Sequence, residues 1–128
     1  MYATSPAESV HALDVDALDH PSIDFFAARE AGELRGVGAL KRHDAGLGEI
    51  KSMRTAASAR GRGVAALIVT SIVERARAEG LTELNLETGS EDFFAPARRL
   101  YERHGFVARG PFADYSEDPN SVYYGLEL

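Results

Sequence analysis

The chain has 128 residues, no cysteine and a formal net charge of -6 at pH 7. This length suits one domain with its own core, so we expect a single domain over residues 1–128. The absence of cysteine excludes a disulfide framework, a thiolate nucleophile and a thiolate metal site. The net charge argues against nucleic acid as the main partner, and no apolar run is long enough to span a bilayer, so we expect a cytoplasmic protein that binds neither nucleic acid nor membrane.

The first half of the chain predicts one helix followed by three strands. Ser5 is a suitable N-cap for a helix that runs from Pro6 to about Leu18, and Glu8 completes a capping box. Short turns then separate three apolar stretches, which predicts an antiparallel meander. These strands are expected at residues 23–29, 33–41 and 48–55.

The second half predicts two helices that alternate with strands. An apolar stripe at helical spacing runs from Val64 to Glu79, and Gly80 is placed to end this helix. A shorter helix from Pro96 to His104 ends at Gly105. The remaining strands are expected at residues 81–88, 106–112 and 122–128.

A cationic glycine turn, Arg60-Gly61-Arg62-Gly63-Val64-Ala65, lies between the third strand and the first of these helices. Amides at a helix N-terminus have no intrahelical partner, and the helix dipole adds partial positive charge there, so the turn predicts a phosphate-bearing ligand. A dinucleotide fingerprint is a weak alternative, because Ala66 stands where its third glycine belongs. A P-loop is excluded, because Val64 and Ala65 replace its Lys and Ser or Thr.

Two motifs together resemble the GNAT N-acetyltransferase family. Arg60-x-x-Gly63-x-Ala65 is similar to the loop with which that family binds the pyrophosphate of acyl-CoA. Residues 97–106, Ala-Arg-Arg-Leu-Tyr-Glu-Arg-His-Gly-Phe, resemble its second signature, a helix with A-x-x-L-Y-x-x-x-G-F before a strand. Residues 51–55, 86–89 and 118–122 resemble a bacterial subgroup of small GNAT proteins.

The resemblance implies an α+β domain with the three-layer α/β arrangement of GNAT proteins: a mixed, mostly antiparallel sheet with helices on both faces. GNAT domains normally open with a strand and a helix, and this chain begins inside or just after that helix, short by on the order of twenty residues. The edge of the strand at residues 23–29 is then open to pairing with another chain, as in a homodimer.

The activity that the resemblance implies is acetyl-CoA-dependent N-acetylation, without a metal. The acetyl group would pass to the amine of a small molecule by direct attack in a ternary complex. An alternative remains open, in which the chain is an acyl-CoA-binding sensor or partner module without efficient turnover. Release of free thiol only in the presence of an amine distinguishes the two.

The family's coenzyme contacts fall mainly on backbone groups of the third strand and of the glycine turn. An N–H near Met53 would polarise the thioester carbonyl, and the amides from Arg60 to Ala65 would hold the pyrophosphate. The coenzyme-binding residues expected in this chain are Met53, Arg54, Thr55, Arg60, Gly61, Arg62, Gly63, Val64 and Ala65.

Tyr101 corresponds to the family's helix tyrosine near the coenzyme sulfur, so we predict it to be the general acid. Core packing is the alternative for an aromatic residue at this helical spacing. Glu49 and Glu87 are the candidate general bases, although either carboxylate could equally be solvated or salt-bridged while water carries the proton.

The acceptor site is predicted to include Lys51, Tyr115 and Asn120. If Lys51 and Arg54 face this site, their charge favours an acceptor that carries a carboxylate. Structural roles are also open, since Asn120 lies in a good turn sequence and Lys51 can face solvent. The four histidines have no metal-ligand spacing, and we interpret them as structural or exposed.

Overall fold

The computed structural model describes residues 22–57, 61, 63–113 and 115–128. The helix predicted from Pro6 to about Leu18 lies outside these residues. The described elements are β1 (Ile23–Glu30), β2 (Glu33–Arg42), β3 (Leu47–Thr55), α1 (Val64–Ala78), β4 (Glu83–Gly89), α2 (Ala95–Arg103), β5 (Val107–Arg109) and β6 (Ser121–Glu127). Neither helix in this part of the chain is long and apolar enough to cross a membrane.

The six strands form one sheet in the order β1-β2-β3-β4-β6-β5. Among the described strands β3 and β4 form the one parallel pair, and the other neighbouring pairs are antiparallel. A parallel pair needs a long crossover connection, and α1 provides it. The predicted mixed, mostly antiparallel sheet is therefore confirmed.

The main core lies between one face of the sheet and the two helices. Leu40 of β2 and Leu84 and Leu86 of β4 are almost completely buried there. The apolar stripe of α1, which includes Ile68 and Ile72, packs against them. Because this stripe repeats at the helical period, it holds α1 along the sheet and fixes where the N-terminus of the helix lies.

The opposite face of the sheet carries two buried polar residues. Side chains alternate along a strand, so Glu49 points away from the face that Ile50 occupies, and Asn85 points away from the face of Leu84 and Leu86. Glu49 is 2 % exposed and Asn85 is fully buried. Buried polar groups at the middle of a sheet require specific partners. Asn85 Oδ1 accepts a hydrogen bond from Arg109 at 3.0 Å, and the partners of Glu49 belong to the candidate site.

A charged cluster ties α1 to the outer strands. The side chain of Asp24 on β1 accepts hydrogen bonds from Arg42 on β2 and from Arg75 on α1, and Arg42 also donates to Glu79 at the end of the helix. Burial raises the pKa of Asp24, but the two arginines outweigh it, so this pKa lies below its usual value. The cluster stabilises the position of α1 beside β1 and β2.

Two predicted strands are shorter than expected. The predicted strand at 81–88 begins at Glu83, because the Leu81 amide donates to the Ala76 carbonyl and closes α1 after Gly80. The predicted strand at 106–112 is reduced to Val107–Arg109. Pro111 cannot donate a hydrogen bond to the ladder, so the strand stops before it.

Candidate active site

The parallel strands β3 and β4 separate halfway along their length. They pair from Leu47 opposite Glu83 to Ile50 opposite Leu86, and among the described residues of the two strands no later pair exists. β3 continues to Thr55, paired with β2 alone. The edge of β3 that faces β4 is therefore open from residue 51 onward, which leaves backbone donors and acceptors for a bound extended group.

A β-bulge lies where the strands separate. Ser52 has a φ of 59°, and the register between β2 and β3 shifts at this point. A bulge bends its strand and reverses the side-chain alternation after it. As a result Met53 faces α1, where its Sδ would lie 2.6 Å from a Cβ placed on Gly38, and Arg54 is exposed.

A cleft of about 570 Å³ lies beside the part of β3 that has left β4. It extends between the end of β3, the N-terminus of α1 and the start of α2. Its lining is mostly apolar; of the lining residues that the structure describes, two are arginines and none is acidic. The lining consists of Met53, Arg54, Thr55, Gly61, Gly63, Val64, Ala65, Ala66, Phe93, Phe94, Pro96, Ala97, Leu100, Tyr101 and Arg103.

The N-terminus of α1 closes one end of this cleft. Gly63 is its N-cap and has a φ of 80°, a conformation that suits glycine. The next amides have no intrahelical partner, and the first turn contains no acidic side chain that would neutralise the helix dipole. The cleft therefore ends at a helix terminus whose free amides and dipole suit an anion.

Seven of the nine predicted coenzyme-binding residues line the cleft. Three come from the end of β3 and four from the glycine turn and the start of α1. Arg60 and Arg62 lie outside the described residues. The structure thus brings together two segments that the sequence separates by several residues.

Tyr101 lies on α2 in the wall of the cleft and is 5 % exposed. Its ring packs edge-on against Phe106 at 5.8 Å between centroids and lies 6.5 Å from Tyr124. Burial raises the pKa of Tyr101 to about 12. The residue is therefore both part of the core and a protonated phenol at the cleft.

Glu49 lies on the other face of the sheet and is held by two side chains. The Tyr115 hydroxyl donates to Glu49 Oε2 at 2.7 Å. His43 Nε2 lies 2.8 Å from Glu49 Oε1. The sequence predicted His43 to be structural or exposed. Its contact with Glu49 joins residues from the two ends of a turn, and no spacing motif marks it.

Glu87 and Tyr115 lie on the same face as Glu49. Glu87 is exposed and accepts a hydrogen bond from the Ser121 hydroxyl. The Tyr115 ring packs against Phe112 and Tyr123, with centroids 5.1 and 5.9 Å apart. Burial and the hydrogen bond to Glu49 raise the pKa of Tyr115 well above its usual value.

The other two predicted acceptor residues have different surroundings. Lys51 is half-buried and lies two residues after Glu49, before the bulge, so it shares the face of Glu49. Asn120 is exposed in a turn, where its backbone amide donates to Asp118 Oδ1 at 2.8 Å. The Ser90 amide donates to the Asn120 carbonyl, so this residue also braces the end of β4.

Sequence reasoning missed the part of the cleft wall that precedes α2. Phe93 is 73 % exposed, lies at the cleft and packs edge-on against Phe94 at 5.1 Å. Phe94 in turn lies so close to Gly89 that a Cβ there would clash. Arg103 at the end of α2 adds positive charge. The sequence offered one sign of this wall: two adjacent phenylalanines precede a helix with proline in its first turn.

Comparison with known proteins gives the same family. The model of the acetyltransferase (GNAT) family matches residues 2–106. The chain is 53 % identical over its full length to the uncharacterized N-acetyltransferase YsnE of Bacillus subtilis, of which it covers 85 %. It is 46 % identical over its full length to the uncharacterized N-acetyltransferase YedL of Escherichia coli, of which it covers 80 %.

Among solved structures, a Bacillus subtilis acetyltransferase in complex with CoA is similar in fold. The TM-score is 0.73 at 21 % identity, over 91 % of this chain and 85 % of the other. The chain therefore belongs to the GNAT family of acetyltransferases, as its two motifs predicted, and acetyl-CoA is its acyl donor.

Proposed function

We propose that this protein acetylates the amine of a small molecule by direct attack in a ternary complex with acetyl-CoA. The observation that carries the proposal is the separation of β3 and β4 after Ile50. Such a separation would leave an opening through the sheet, with the proposed coenzyme cleft on one face and the Glu49 carboxylate on the other. Two reactants that approach from opposite faces can meet there at the same time.

The cleft fits the chemistry of a coenzyme A thioester. The open edge of β3 suits an extended pantetheine arm, which carries amide groups, and the apolar lining suits its methyl groups and methylene chain. The N-terminus of α1 suits a diphosphate. Arg54 and Arg103 would add positive charge for the remaining phosphate.

The coenzyme supplies an acetyl group activated as a thioester. We assign Glu49 to take one proton from the attacking amine, and Tyr101 to donate its phenolic hydrogen to the departing sulfur. One proton of the ammonium group thus leaves to solvent through Glu49. A second amine proton replaces the hydrogen that Tyr101 has given up. Backbone N–H groups near Met53 would stabilise the developing oxyanion.

The acceptor is proposed to carry a carboxylate near its amine. Lys51 lies on the face of the sheet that carries Glu49, which we call the acceptor face. Its ammonium group would pair with such a carboxylate. We further propose that residues 1–128 form one GNAT domain, that the protein is cytoplasmic, and that it forms a homodimer. A homodimer would double the mass in sedimentation, and the mass of a monomer would refute this last point.

Two measurements test the proposed function in sequence. Acetyl-CoA at about 100 times its dissociation constant should stabilise the protein by about 2.7 kcal/mol in a thermal shift assay, whereas ATP should not. A screen of amines with a thiol reagent should then show free CoA only when an acceptor is present. Stabilisation without amine-dependent thiol release would favour a sensor instead, and equal stabilisation by ATP would contradict the coenzyme assignment.

Gly63→Ala is expected to raise KM for acetyl-CoA about tenfold by straining the N-cap that positions the first amides of α1. Gly80→Ala is the matched control, because Gly80 has a φ of 79° against 80° for Gly63 and a Cβ would meet no atom at either position. Both variants should lose about 1 kcal/mol of stability. Only Gly63→Ala should change KM in steady-state kinetics. An equal KM in both variants would mean that the N-terminus of α1 does not bind the coenzyme.

Phe93→Ala is expected to raise KM for acetyl-CoA about fivefold and to leave kcat nearly unchanged. The side chain is exposed at the cleft, and burying an apolar side chain under a ligand is worth about 1 kcal/mol or more. Phe25→Ala on β1 is the control, since Phe25 is also exposed but does not line the cleft. Equal KM values for the two variants would show that the coenzyme does not cover Phe93.

A further inference from the structure

His43 and Tyr115 hold the two oxygens of Glu49 separately. His43 lies in the turn after β2, where its own amide donates to the Leu47 carbonyl at 2.8 Å. Tyr115 comes from the segment between β5 and β6. The Glu49 side chain is 3 % exposed, whereas that of His43 is 22 % exposed. The carboxylate is therefore shielded, and its histidine partner remains in contact with solvent.

The charge state of the imidazole changes what Glu49 can do. A neutral imidazole that donates its Nε2–H orients Oε1 and leaves the carboxylate free to accept a proton. An imidazolium forms an ion pair at the same distance and stabilises the ionised carboxylate, so Glu49 becomes a weaker base. Histidine can exist in both charge states, whereas glutamine at the same position cannot, so a substitution separates the two effects.

We propose that His43 is a positioning residue for the general base Glu49, and that its protonation lowers the rate of amine deprotonation. The inference rests on the proposed function, which makes Glu49 the base. Other charged or titratable groups near this site are Lys41 opposite Glu49 on β2, Asp44 beside His43, Lys51 on β3, Glu87 on β4 and the hydroxyls of Tyr115 and Tyr123. They remain the same in the variants below, so a ratio of rates isolates His43.

The experiment compares His43→Gln, His43→Ala and the wild type with one acceptor amine between pH 6 and pH 8.5. Glutamine can still donate a side-chain N–H but does not titrate. Dividing each variant's kcat by the wild-type value at the same pH removes the ionisation of the amine itself. His104→Gln is the control, because His104 at the end of α2 contacts Leu100 and Thr70 rather than Glu49.

At pH 8 we expect His43→Gln to retain kcat within about threefold and His43→Ala to lose about tenfold. KM for acetyl-CoA should stay within about twofold in both, because the coenzyme lies on the other face of the sheet. At the acid end of the range the ratio of His43→Gln to wild type should rise severalfold, since histidine can take up a proton and glutamine cannot. His104→Gln should show a flat ratio close to one.

A pH-independent ratio for His43→Gln, or an unchanged kcat in His43→Ala, would overturn the inference while the proposed function stands. If His43→Ala fails to fold, the pH dependence of the His43→Gln ratio alone decides. A wild-type protein that binds acetyl-CoA but acetylates no amine would overturn the proposed function, and this inference with it.

Discussion

Replacing Tyr101 by phenylalanine is expected to lower kcat by about a hundredfold. The substitution removes the hydroxyl that would donate to the departing sulfur, while the ring keeps its packing against Phe106. KM for acetyl-CoA should therefore change little in steady-state kinetics. Since burial raises the pKa of Tyr101 to about 12, the phenol is protonated throughout the working range. The shape of the pH profile between pH 6 and pH 10 should accordingly be the same in the variant.

Tyr124→Phe is the matched control for this experiment. Tyr124 is a second buried tyrosine of the same cluster, and its hydroxyl donates to Glu102 Oε2 at 2.8 Å. Its loss should cost about 1 kcal/mol of stability and leave kcat unchanged. Equal kcat values for the wild type and the Tyr101→Phe variant would mean that Tyr101 serves the core alone.

Glu49→Gln is expected to lower kcat by about a hundredfold, because an amide cannot accept the amine proton. Glutamine is nearly isosteric and can still accept the Tyr115 hydroxyl hydrogen through its carbonyl oxygen, so the protein should remain folded. Acetyl-CoA should stabilise the variant as much as the wild type. Thermal shift and single-turnover acetylation together check this separation of binding from chemistry.

Glu87→Gln distinguishes the two candidate bases. Glu87 shares the acceptor face but is exposed, so water can replace it more easily as a proton acceptor. We expect less than a tenfold loss of kcat in this variant. A larger loss of kcat for Glu87→Gln than for Glu49→Gln would make Glu87 the general base. Unchanged kcat in both variants would mean that water accepts the amine proton.

Local sequence patterns predicted most of the described fold. The periodicity of apolar residues within each segment predicted α1 and the first three strands. Their observed ends differ from the predicted ones by at most one residue. The glycine turn before α1 could also be predicted as a candidate phosphate site, because its signs are local: glycines, a helix start and no acidic residue in the first turn. Such features depend on neighbours in the chain.

The acceptor face depends on contacts between distant residues and was harder to predict. The Tyr115 hydroxyl meets a carboxylate 66 positions away, and His43 reaches that carboxylate only because a turn folds back on itself. The wall formed by Phe93 was hidden for a related reason, since two adjacent phenylalanines are as suitable for a core as for a cleft. Only tertiary packing decides which residues remain exposed.

The extra residue at Ser52 decides which side chains of β3 reach each face of the sheet. Side-chain direction in a strand follows the residue count, so the bulge places Lys51 on the face of Glu49 and Met53 on the face of α1. Under the proposed function, the length of a strand rather than a reactive group would set the place of bond formation. Two residues apart, Lys51 and Met53 would share one face in a regular strand, so a variant that straightened the bulge would bring both side chains to the same face.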